Sequence, residues 1–210
     1  MSEQKDTVKE ELYYDQRSVA LRTTQGIYFV NEHDKMSMLD LLFDVEVKMP
    51  TVMVVKSKKK ADALAVFLAS KGFTARAVHG NHREVQQKEV AEAFSLGTLD
   101  ILITTDMILK TLDLENIKLL FSYDLPDDVQ TYYNRLALMK EEGVGIALVS
   151  VEDEFYLENI EVNMKAEIEE KVLEGFVASA LPSSKNKAKK DRRKKPRHKK
   201  SKGKREDDAY

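Results

Sequence analysis

The 210 residues predict an open, mostly parallel α/β sheet with helices on both faces. Three observations carry this. Short apolar runs recur along the chain, and they are apolar throughout rather than alternating, as in strands buried on both faces. The segments between most of them carry helical spacing. The spacings are long enough for the crossovers that parallel strands require.

The runs are GIYFV (26–30), TVMVV (51–55), TARAV (74–78), LDILIT (99–104), KLLFSY (118–123) and GIALVSV (145–151). After the second run, Ala61, Leu64, Ala65 and Leu68 fall at i, i+3, i+4 and i+7 and make one apolar face. Lys71-Gly72 is expected to stop that helix. Val90, Ala93 and Phe94 close a second helix before Gly97. Val129, Tyr132, Tyr133 and Leu136 define a third, with Asp127 and Asp128 placed to meet its free N–H groups. The expected division is an N-terminal extension over 1–22, a folded domain over 23–178 and a tail over 179–210.

Charge is divided unevenly. Residues 183–210 carry 14 Lys/Arg against 4 Asp/Glu, a net of +10, while residues 1–182 carry 20 against 32, a net of −12. The basic segment has almost no apolar residues, so it cannot offset its ordering entropy and is expected to be disordered. Its cations suit a polyanion, with affinity that falls steeply with salt. Lys189, Lys190, Arg192, Arg193, Lys194, Lys195 and Arg197 are the candidate phosphate contacts there. A localisation signal, an acidic-protein contact and a solubilising tail are the competing readings of this segment. No cysteine is present, which excludes disulfides and thiol catalysis. The polar start and the lack of a long apolar run predict a cytoplasmic chain with no membrane partner, or a nuclear or nucleolar one in a eukaryote.

Ligands of open α/β sheets bind beyond the carboxyl ends of the strands. There the chain places KSKKK (56–60), HGNHR (79–83), Thr104-Thr105-Asp106 and Asp124-Leu125-Pro126-Asp127-Asp128. Hydroxyls and cations beside helix starts suit phosphate. His79 and His82 alone make a poor metal site, and none is expected. The loop GxxxxGK[ST] and a Ser-His-Asp pattern do not occur in these 210 residues.

These rim segments, in order, resemble the second RecA-like domain of the DEAD-box RNA helicases. The resemblance spans about residues 25–162 and rests on IYFVNEHDKMSMLDLL, TVMVVKSKKKADALAVFL, HGNHREVQQKEVAEAF, DILITTDMILKTLDLENIKLLFSYDLP and the trailing VEDEFYLENIE. It implies a RecA-like fold and RNA contacts at Ser57, Lys58, Gly80, Thr105, Lys110 and Arg135, with Asp113 and Arg135 as residual nucleotide contacts. The first RecA-like domain, which carries the phosphate loop in the family, is not expected in this chain.

The departures fall on the chemistry. The family's Arg-Gly-Ile/Leu-Asp is Lys110-Thr111-Leu112-Asp113 here, and its Gln-x-x-Arg becomes Glu84 and Gln87. The resemblance puts two phosphate-contacting arginines at Leu138 and Glu141. An arginine finger contributes about 10³–10⁵ in rate, roughly 4–7 kcal/mol, and neither residue can supply that. The expected function is a non-catalytic RNA-binding module with no catalytic residues and no cofactor. ATP would enter only through pairing with a separate first domain. The alternatives are a regulatory or trans-acting half of a split helicase and a protein-interaction scaffold with a vestigial rim. The partners so implied are RNA and, by the resemblance, a ribosomal particle or a full-length helicase.

Overall fold

The computed structural model describes residues 18–19, 22–45, 47, 50–115, 117–139 and 142–179. Among the described residues seven strands form one sheet: β1 (Thr23–Phe29), β2 (Thr51–Val54), β3 (Ala75–Val78), β4 (Ile101–Thr104), β5 (Leu119–Ser122), β6 (Gly143–Val149) and β7 (Glu169–Glu170). Their order is β3-β4-β2-β5-β6-β1-β7. Every pairing is parallel. The helices are α1 (Lys35–Val45), α2 (Lys58–Ser70), α3 (Glu84–Ser95), α4 (Asp106–Leu109), α5 (Val129–Ala137) and α6 (Glu154–Met164).

Strands that are apolar throughout supply two cores, one on each face of the sheet. Val52, Val54, Leu102 and Leu120 pack with Phe94 of α3, Tyr132, Tyr133 and Leu136 of α5, and Ile160 of α6. Met53, Val55, Ile101, Ile103 and Phe121 pack with Leu39 and Leu42 of α1 and with Ala61, Leu64 and Leu68 of α2. Alternate residues of one strand thus enter opposite cores, as the period of two demands. Each such buried side chain stabilises the fold by about 1.5–3 kcal/mol. Val19, ahead of β1, is fully buried in the first core.

Local signals set the helix ends. Ser57 caps α2, its side chain accepting the Lys60 N–H at 3.2 Å. Asp128 caps α5 in the same way, accepting from the Thr131 N–H at 2.8 Å. That bond holds the Asp128 carboxyl below its usual range. The chain after α6 returns to the sheet: Lys171 N–H donates to the Ile27 carbonyl at 2.8 Å, and Ser179 N–H donates to Asp34 at 3.0 Å. Among the described residues, no helix is long and apolar enough to cross a membrane.

Candidate functional site

Strand register brings the first half of the rim together. Thr104 at the end of β4 stands beside Val54 of β2 on one side and Val78 of β3 on the other. The loops that follow these residues therefore emerge side by side. They carry Ser57 and Lys58, then Gly80, then Thr105. Lys58 Nζ donates to Asn81 Oδ1 at 2.8 Å, closing the space between α2 and the loop after β3. Gly80 lies under that contact: a Cβ there would stand 3.5 Å from Lys58 Nζ and 3.2 Å from Met107 Cε. A side chain at position 80 would crowd the Met107 methyl and come into ordinary contact with Lys58, so glycine leaves the backbone more open at this point. Thr105 begins α4 with no capping bond from its hydroxyl, and Lys110 at the far end of α4 is exposed.

Lys58 differs from its neighbours in what holds it. Asn81 is neutral, so the Lys58 charge is not cancelled by its partner. Lys60 contacts Asp124 at 2.6 Å and Glu32 at 2.9 Å. Lys56 pairs with Asp127 and stands 3.6 Å from Asp153. Lys35 is 1% exposed and meets Glu32 at 2.8 Å, Asp153 at 3.3 Å and Asp124 at 3.6 Å. Three ammonium groups and four carboxylates thus neutralise one another at the ends of β1, β2, β5 and β6. Burial alone would lower the Lys60 ammonium, but its hydrogen bonds to Asp124 and Glu32 outweigh that and hold its pKa above the usual value. The same balance holds for Glu32: burial would raise its carboxyl, and the bonds from Lys35 and Lys60 bring it below the usual range. Of the KSKKK cations, Lys56 and Lys60 are paired to carboxylates of the protein itself.

Arg135 is held by partners within the protein. Its side chain is 1% exposed. Nε and Nη2 donate to the two oxygens of Asp106 at 2.6 and 2.7 Å, while Nη1 donates to Ser122 Oγ at 2.9 Å and the Asp124 carbonyl at 2.8 Å. The planar fork ties α5 to the start of α4 and the end of β5. All three guanidinium nitrogens are engaged inside the fold, which gives Arg135 a structural role beside the RNA and nucleotide contacts that the resemblance implies.

The segment after Arg135 is also withdrawn. Leu138 is half-buried against the first core, and Met139 is fully buried. A Cβ at Gly143 would stand 2.5 Å from Met139 Sδ, so only glycine leaves room for this packing. Glu141 lies outside the described residues, as do Lys189, Lys190, Arg192, Arg193, Lys194, Lys195 and Arg197.

Asp113 is not on the open rim with Lys58. It lines a groove of about 680 Å³ between α3 and the α4–β5 connection, together with Glu84 and Gln87. His79, by contrast, is buried and its Nε2 contacts Asp62 Oδ1 at 2.9 Å, and His82 Nδ1 accepts the His79 N–H at 3.1 Å. Sequence reading missed Asn81 as the group that holds Lys58, Met107 beside Gly80, and Lys35 with its three carboxylates. A sequence signal existed for Lys35, because Lys35, Met38, Leu39 and Leu42 fall on one helical stripe.

A family model described as the helicase conserved C-terminal domain matches residues 23–137. The curated DEAD-box ATP-dependent RNA helicase RhpA, from two strains of Helicobacter pylori, is 29% identical over 149 residues. That match covers 70% of this chain and 30% of the relative, so the chain spans under a third of the length of these relatives. Among solved structures, E. coli SrmB, a DEAD-box protein bound to regulator of ribonuclease activity A, superimposes with a TM-score of 0.68 at 19% identity, covering 76% of this chain and 98% of that one. S. cerevisiae Dbp5 bound to RNA and ADP BeF3 superimposes with a TM-score of 0.66 at 24% identity, covering 75% of this chain and 44% of that one.

Proposed function

The chain belongs to the family of helicase conserved C-terminal domains, the second RecA-like domain of DEAD-box RNA helicases, and from that premise we propose that it is an RNA-binding module that does not hydrolyse ATP by itself. RNA is held by two parts. The open half of the rim supplies a few phosphate contacts through Ser57, Lys58, the backbone at Gly80, Thr105 and Lys110. The basic segment 183–210 supplies most of the affinity through counterion release. The observation that carries the rim assignment is the contact between Lys58 and Asn81: it is a cation set at the start of a thirteen-residue helix by a neutral partner. Phosphate at that position meets both the ammonium and the helix N-terminus. The solved structure of Dbp5 with RNA supports the choice of ligand, as a property of that protein.

Absence of turnover rests on the segment after Arg135. Leu138, one of the two positions where the resemblance places a phosphate-contacting arginine, packs against the core beside the buried Met139, and the other position is Glu141. Apolar side chains give no stabilisation to a transferring phosphoryl group. The test is ATP turnover by residues 1–210 with and without oligo(U), alongside oligo(U) binding with and without residues 183–210. The expected result is no RNA-stimulated turnover, and an affinity that collapses and loses most of its salt dependence on deletion. RNA-stimulated turnover would overturn the first part, and unchanged binding after deletion the second.

A further inference from the structure

The groove beside the rim has the wrong charge for a phosphate backbone and the right shape for a protein. Its volume of about 680 Å³ lies within the ordinary range of formed binding pockets. Ala91, Ile108 and Leu112 supply its apolar floor. Its walls are acidic and come from two separate elements, Glu92 from α3 and Asp113 and Glu115 from the α4–β5 connection. The single cation lining it, Lys88, is paired to Glu84 one helical turn away at 2.9 Å. Glu92, Asp113 and Glu115 have no ion pair among the described residues. They do not form a metal site either: no group of three or more His, Cys, Asp or Glu that could hold an ion occurs among the described residues.

We infer that this groove docks a segment of a protein partner that carries basic residues around apolar anchors. An apolar floor gains by taking an aliphatic side chain out of water. Uncompensated carboxylates on both walls select the positively charged partner and reject a polyanion. The two features match one kind of occupant, a basic amphipathic segment. Its contact with the chain is separate from RNA binding at Lys58 and does not depend on it.

The test uses the full chain with isotope-labelled Ile and Leu methyl groups. The probes are the octapeptide Leu-Arg-Arg-Leu-Leu-Arg-Arg-Leu, its counterpart with Glu in place of Arg, and octa-uridine. The Arg peptide is expected to shift the methyl signals of Ile108 and Leu112, and the Glu peptide to leave them in place. Reversal of the wall charges by Glu92→Lys with Glu115→Lys is expected to weaken the Arg peptide by about tenfold or more. The milder Glu92→Gln with Glu115→Gln should weaken it by about threefold, which keeps the test sound if charge reversal disturbs folding. The inference is overturned by methyl signals that do not move, by equal binding of the two peptides, or by affinity that ignores the wall charges. Octa-uridine moving the same methyl signals would overturn it in favour of RNA.

Discussion

The two halves of one sheet edge have opposite fates. At the ends of β2, β3 and β4 the chain leaves an ammonium with a neutral partner, a glycine that keeps backbone open and a threonine hydroxyl free of its helix. Toward β1, β5 and β6 the same kinds of residue, including Lys56 and Lys60 after β2, are paired within the protein. Lysines there meet carboxylates, and Arg135 is buried against Asp106. Cations near strand ends are therefore not equivalent, and what decides is the charge of the nearest partner. A lysine on a carboxylate is a structural element. A lysine on an amide keeps a charge that its partner does not cancel.

The largest test of that contrast is Arg135→Ala. The substitution would leave Asp106, Ser122 Oγ and the Asp124 carbonyl without their shared donor. Removing one partner of a buried, hydrogen-bonded charge costs about 3–5 kcal/mol, and the partial exposure of Asp106 points to the lower end. Thermal or urea unfolding should show this loss, with Arg135→Lys recovering only part because it lacks the fork. A variant as stable as the parent would mean that Arg135 is not the internal tie.

Acid should open the closed half by a smaller amount. Asp153 lies in a buried site that would raise its pKa, but bonds from Ser150 and the charges of Lys35 and Lys56 bring it below the usual range, and Glu32 is lowered by Lys35 and Lys60. Carboxyls that are lower in the folded state stabilise it fully above their unfolded values, 4.5 for Glu32 and 3.8 for Asp153. That stability is lost as pH falls through the folded values. Melting temperature should be level above about pH 5 and fall below it, with a shallower fall in Glu32→Gln with Asp153→Asn. An unchanged acid limb in that variant would show that the ion network is not what acid breaks.

Much of the fold was legible because it rests on burial, and burial leaves a pattern. Runs such as TVMVV and LDILIT cannot be solvent-facing, and the spacing of Ala61, Leu64 and Leu68 fixes a helix face. The closed half of the rim was less legible. Arg135 sits three residues after Tyr132, on the same inward stripe, but a periodicity argument assigns faces by hydrophobicity and passes over a charge. Its partner Asp106 is 29 residues away in sequence. Lys35 was hidden for the same reason, since Asp153 is 118 residues away. Long-range pairing of charges depends on strand order, and no local window contains that order.

The smallest expected effect addresses the central claim most directly: oligo(U) affinity across a salt series for the full chain, Lys58→Ala and Lys60→Ala. Lys58→Ala should weaken binding at low salt and make the slope of log affinity on log salt shallower by about 0.7, the value for one phosphate contact on a single strand. Lys60→Ala should leave that slope unchanged, because Asp124 and Glu32 already neutralise its charge. Equal changes in slope for the two variants, or a change for Lys60→Ala alone, would contradict the division of the rim into an open and a closed half.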